Sequence, residues 1–157
     1  MNTLNTTEEE KSIVTENYQD CGIDVARIIK RILTHAPSEC IQGLKEIRLL
    51  DKDPVDKGFA RYFRTEGRIE LYVADIVGWQ PWILKKSYVF PYLTIGIALG
   101  HEIDHHVHRK NNTINKEDFA ERNAFKYIYP SLGVFKPVVK VLNLFTKIWG
   151  SEREKGR

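Results

Sequence analysis

A chain of 157 residues, 42% hydrophobic, 29% charged and 11% aromatic, has the make-up of one globular domain long enough to bury a core without staples. Its net charge of +3 is too small to demand nucleic acid as a direct partner, and the polar, acidic start "MNTLNTTEEEKS" excludes a signal peptide. Two cysteines without a CxxC pair, and an apolar run from Val89 to Leu99 too short to span a bilayer, lead us to expect a cytoplasmic protein with free thiols and no transmembrane segment.

In chain order, residues 1–7 read as a frayed start. From Glu8 to about Leu33 the pattern predicts a helix: Val25, Ile28, Ile29 and Ile32 recur at three and four, with Arg27, Lys30 and Arg31 off that stripe. "HAPS" ends it at Pro37. Glu39 to Lys45 is a candidate second helical piece. "EIRLL" reads as a strand closed by "DKDP". "GFARYFR" and "RIELYV" both alternate, and the turn "TEG" between them suits a hairpin. In the second run Ile69, Leu71 and Val73 share one face, Glu70 and Tyr72 the other. Together the three strands predict a small antiparallel meander. "GWQPWILKKSYVFP" is expected to be a loop or lid.

Pro91 suits the first residue of a helix running to about Arg109. "KNNTIN" is a turn. A further helix starts near Asn115, a good N-cap, and stops near Tyr129 before Pro130. A last helix covers about Pro137 to Trp149 and precedes a charged tail, flexible over 150–157. These elements predict an α+β fold, a small antiparallel meander packed on a pair of helices with further helices at both ends. Residues 1–157 form a single domain in this reading.

Four of the five histidines fall within eight residues, in "GHEIDHHVH". On a helix His101 and His105 stand one turn apart on one face, and two imidazoles so placed can bind one Zn²⁺. Glu102 projects about 100° further round and can reach a water on the metal, so HExxH supplies two ligands and a general base. Chance alone yields this motif about once in eighty such sequences, so its context matters. Leu93, Ile95, Ile97, Ala98 and Leu99 make the upstream half apolar nearly all round, as a buried zinc helix requires. Gly96 and Gly100, costly in a helix, make sense where another backbone or a substrate passes close. His106 points away from His105 and is expected at the surface. His108, seven after His101, lies on the ligand face as a further candidate.

A catalytic zinc keeps three protein ligands and one open position. The metzincin pattern HExxHxxGxxH is excluded, because Asn111 and His108 occupy its last histidine and its glycine. The remaining source is a glutamate on the following helix, where Glu117 and Glu121 are four apart. One can bind the metal while the other orients a ligand histidine.

The pairing of "HEIDH" with "EDFAERNAFKYIYP" resembles the ImmA/IrrE-type metallopeptidases, a group of minimal gluzincins whose second helix reads roughly ExxANxFA with a closing proline. Glu117, Ala120, Ala124 and Pro130 occupy those places, and the likeness covers about residues 45–130. It implies a zincin-like fold, one Zn²⁺ per chain held by His101, His105 and Glu117, and Glu121 in the place of an asparagine that bonds a histidine. The strand before the HExxH helix would flank the cleft. This sequence departs from the pattern at Asp104, where the family usually has glycine, and at Asn123, where it has phenylalanine.

Hydrolysis of a peptide bond follows from this reading, with Glu102 moving the proton. "RIELYV", if an exposed edge, could pair with an extended protein or peptide substrate. Tyr127, Tyr129, Tyr72 and His108 are candidates for the oxyanion donor, and the sequence does not choose among them. Helix-turn-helix repressors cut by ImmA/IrrE-type enzymes imply a DNA-binding regulator as substrate. Two alternatives stand beside this: a non-catalytic zinc-binding protein, and a membrane- or partner-binding module resting on the C-terminal helix, where Lys136, Lys140 and Lys147 line one stripe.

Overall fold

The computed structural model of the chain describes residues 14–55, 58–80, 84, 86–87, 89–110 and 117–137, with the side chains at 110, 117–119, 121, 122, 134 and 135 outside the description. It is an α+β arrangement of a four-stranded mixed sheet and several helices. Strand β1 (Val14–Asn17) leads to helix α1 (Val25–His35) and a short α2 (Ser38–Ile41). Strands β2 (Glu46–Leu50), β3 (Ala60–Phe63) and β4 (Arg68–Tyr72) follow, and α3 (Val73–Gly78) continues directly from β4. Two longer helices, α4 (Val89–Lys110) and α5 (Glu117–Ile128), end in a 3-10 helix at Tyr129–Phe135.

The expected antiparallel meander is replaced by a mixed sheet. Its order is β1-β2-β4-β3, with β1 parallel to β2, β2 parallel to β4, and only β3 and β4 antiparallel. The hairpin forms as predicted, but β4 turns back inside it, between β2 and β3. Burial selects that pairing. Ile47 aligns with Ile69 and Leu49 with Leu71, all four fully buried on one face. Each such side chain contributes about 1.5–3 kcal/mol. Strands β2 and β4, each paired on both edges, are the inner strands, and β3 lies at the edge among the described residues.

The long N-terminal helix is also corrected. Residues 1–13 lie outside the description, Val14–Asn17 pair with β2, and the helix begins only at Val25. Two local features stop it from starting earlier. Gly22 has φ +73°, and its N–H donates to Asp20 Oδ1 at 2.8 Å, a tight Asx turn. Asp24 then caps α1, its Oδ1 accepting from the Arg27 N–H at 2.9 Å. "QDCGID" held that signal in the sequence. The apolar stripe itself is as read, with Val25, Ile28, Ile29 and Ile32 buried.

Helix α4 has three working faces. Ile95, Leu99 and Ile103, at intervals of four, are fully buried in the core. Gly96 and Gly100 meet α5, where a methyl at 96 would come within 2.8 Å of Ile128 Cγ2 and one at 100 within 3.0 Å of the Ala124 carbonyl carbon. The pairs 96–128 and 100–124 define an antiparallel register between the two helices. The third face carries Thr94, Ile97, Ala98, His101, Glu102 and His105 toward β3. The apolar half is therefore not buried all round, since Ile97 is 40% exposed. Tyr92 anchors the start of α4 by donating to Ser131 Oγ at 2.7 Å.

Residues 73–78, expected to finish a strand and enter a loop, form α3 instead, with Val73, Ile76 and Val77 buried. The predicted C-terminal helix beyond Pro137 lies outside the described residues. No helix among the described residues is long and apolar enough to cross a membrane. Cys21 and Cys40 are both free thiols.

Candidate metal centre

His101 and His105 bring their Nε2 atoms to 3.0 Å, with ring centroids 4.7 Å apart and planes inclined at 74°. The helical repeat alone accounts for this, because residues four apart stand above one another on one face. At that distance two imidazole nitrogens need a proton or a cation between them. Two nitrogens sharing one tetrahedral zinc at about 2.0–2.1 Å stand about 3.3 Å apart, so the pair fits a zinc ion with a small opening. One carboxylate oxygen of Glu102 completes a cluster whose candidate ligand atoms all lie within 4.8 Å of one another. Glu102 is 6% exposed, while both histidines are half-buried. The donor set of two imidazoles and a carboxylate suits a borderline cation such as zinc.

The cluster sits where two cavities meet. One, of about 450 Å³, is walled mainly by apolar groups including Phe59, Trp79, Ile97 and Ala98. The other, of about 390 Å³, is polar and bounded by Arg61, Tyr62, Arg64 and His105. Ala60, His101 and Glu102 line both, so the two form one cleft running along β3. The strand flanking this cleft is β3, not "RIELYV". Strand β4 has partners on both sides and offers no free edge.

The other sequence candidates are distributed differently. His108 stays outside the His101–Glu102–His105 cluster and turns back along α4, its Nδ1 lying 2.9 Å from the Asp104 carbonyl and 3.1 Å from Asp104 Oδ2. Tyr127 is buried and donates its hydroxyl to Asp104 Oδ1 at 2.8 Å. Burial first, and that hydrogen bond second, push its pKa well above the usual tyrosine value. It borders neither cavity, so an oxyanion role is not what its placement serves; it ties α5 to α4. Tyr72 lies on the far face of β4, fully buried, with its hydroxyl on Glu70 Oε2 at 3.1 Å. Tyr129 packs beneath Lys136, whose Nζ is 5.2 Å from the ring centroid. The side chains of Glu117 and Glu121 lie outside the described residues.

His106 corrects the expectation of a surface residue. It is 5% exposed and edge-on to Tyr62, with ring centroids 5.5 Å apart. Its Nε2 is 3.2 Å from the Gln42 carbonyl, and its Nδ1 is 2.9 Å from the Tyr62 hydroxyl. A carbonyl only accepts, so Nε2 carries the proton, and Nδ1 accepts from Tyr62. Arg109 Nη1 donates to the same hydroxyl at 3.1 Å. This chain of bonds joins β3 to α4 beside the cleft. Tyr62 and the arginines around it escaped the sequence reading, because a strand's edge position is not written in its alternation.

Comparison with protein-family models, with curated proteins and with solved structures finds no match for this chain.

Proposed function

We propose that this chain is a zinc-dependent peptide hydrolase of zincin-like, minimal gluzincin build. The observation that carries the proposal is the convergence of His101 and His105, 3.0 Å apart, beside Glu102 in an open cleft along an edge strand. His101 and His105 would hold the metal. A glutamate of α5 would complete the set. The resemblance to the ImmA/IrrE-type pattern, with Ala120 and Ala124 in their places, favours Glu117 for this role. Glu121, one turn further on, would support a ligand histidine or exchange roles with Glu117.

When bound, zinc would polarise the scissile carbonyl and lower the pKa of water toward about 7. The chain's own groups do the rest. Strand β3, at the edge of the sheet among the described residues, would pair with an extended polypeptide through main-chain hydrogen bonds. The Glu102 carboxylate takes a proton from the attacking water and passes it to the departing amine nitrogen. A metal that only braced the fold would have no use for a carboxylate lining an open cleft, and this favours the hydrolase over the purely structural reading. A DNA-binding regulator as the protein substrate rests on the resemblance to ImmA/IrrE-type enzymes.

The test is Glu102→Gln, which keeps the side chain's shape and removes the base. Zinc content and melting temperature are expected to stay near those of the parent. Cleavage of a co-expressed regulator, read as specific fragments on a gel, is expected to fall by about 100-fold or more. A zinc-loaded Glu102→Gln protein that cuts as fast as the parent rejects the mechanism.

A further inference from the structure

The two halves of the cleft differ in chemistry, and they lie on opposite sides of Glu102. At the start of β3 the wall is apolar. Phe59, Trp79 and Ile97 are 42%, 67% and 40% exposed, large hydrophobic surfaces left in water beside one another, with the Phe59 and Trp79 rings 6.0 Å apart. Isolated exposed hydrophobic residues are ordinary, but a cluster lining a cavity of about 450 Å³ is a binding surface. That volume takes one large side chain with room for its backbone.

At the other end of β3 the cleft is basic. Arg61 and Arg64 line it. Arg61 reaches across the strand to buried Asp53, its Nη2 3.1 Å from Oδ2, so its charge is already matched. Arg64 is exposed in the turn after β3, and no carboxylate among the described residues pairs with it. Of the two arginines that line the cleft, Arg64 is the one whose charge no described carboxylate matches.

Strand geometry relates the two ends. From Ala60 to Arg64 an extended chain covers about 13 Å, the reach of an added strand of five residues. His101 and Glu102 face the middle of that span, since they line both cavities. Resting on the hydrolase reading, we infer that the cleft selects extended polypeptides carrying a large apolar side chain on one side of the cut bond and an acidic side chain on the other. Phe59, Trp79 and Ile97 take the first, and Arg64 takes the second.

The experiment measures binding, which needs no turnover. The full chain with Glu102→Gln and added zinc is titrated against fluorescein-labelled nonapeptides of glycine and alanine. Each carries one Phe and one Asp four apart, in either order, so that both side chains fall on one side of the extended peptide. Companion peptides have one or both replaced by alanine. In the preferred order, loss of the Phe is expected to weaken binding about tenfold or more. Loss of the Asp is expected to weaken it about three- to tenfold. Adding Ile97→Asp, at an exposed position, removes the Phe preference and leaves the Asp preference. Adding Arg64→Glu does the reverse. Equal binding of all peptides, no binding by any, or preferences unchanged by both variants overturns the inference. Incubating the same peptides with the Glu102 chain reads the hydrolase proposal separately: peptides bound with the expected preference but left uncut would reject the hydrolase and uphold the groove.

Discussion

Gly100 lies directly against Ala124: a methyl added at 100 would stand 3.0 Å from the Ala124 carbonyl carbon, 3.1 Å from its Cα, and closer still to its oxygen. Gly100 is the residue before His101, so this close approach of α4 to α5 adjoins the candidate metal centre. Backbone cannot swing aside as a side chain can. Gly100→Ala is therefore expected to destabilise the fold by about 2 kcal/mol, the overpacking cost exceeding the roughly 1 kcal/mol that alanine returns through helix propensity. Gly96→Ala meets only the side chains of Ile128 and Ile32 and should cost less. Urea denaturation of both variants measures this, and equal stability in the two would contradict the register of α4 on α5.

Metal content follows from the histidine pair. The purified chain should carry about one zinc by elemental analysis. His101→Ala and His105→Ala should each abolish it, because a catalytic set of three protein ligands loses its hold when one is removed. Neither histidine is in the apolar core, so both variants should fold. Full zinc retention in both would remove the site.

The two glutamates of α5 are separable by affinity. Glu117→Gln should weaken zinc binding more than Glu121→Gln, whose loss is expected to cost about 10–100-fold as a residue acting through a ligand. Competition with a zinc chelator gives the order. The reverse order would assign the ligand to Glu121.

Tyr72 sets an alkaline limit on stability. Burial, and then the hydrogen bond to Glu70, push its pKa up to about 12 from the ordinary 10. Between these values the unfolded chain has lost the tyrosine proton while the folded chain keeps it. The native state then binds more protons, so stability falls as pH rises from 10 to 12 and levels off above. Each pKa unit is about 1.4 kcal/mol, so over these two units the loss is on the order of 3 kcal/mol. Tyr72→Phe should flatten this part of the curve in denaturation runs at pH 9 to 12. An unchanged slope would mean that Tyr72 titrates normally.

The features readable from the sequence are those that one helix or one strand decides alone. His101 and His105 face one another because residues four apart on a helix must. The end of α5 at Ile128, before Pro130, and the strands "EIRLL" and "RIELY" follow equally from local periodicity and turn chemistry. Even the two glycines of α4 announced a close neighbour, since nothing within a helix repays their cost. Only the tertiary structure decided which neighbour. Alternation in "RIELY" marks a strand, yet it cannot tell a central strand from an edge. That depends on β2, some twenty residues earlier, presenting Ile47 and Leu49 to Ile69 and Leu71. His106 looks solvent-facing on the helix alone and is buried because Tyr62 and Gln42, distant in the chain, close over it. The same non-local pairing leaves β3 at the edge and joins Arg64, Ile97 and Glu102 in one cleft. Backbone spacing sets what stands within one turn; the burial of apolar surface on pieces far apart in the chain sets everything that faces across the cleft.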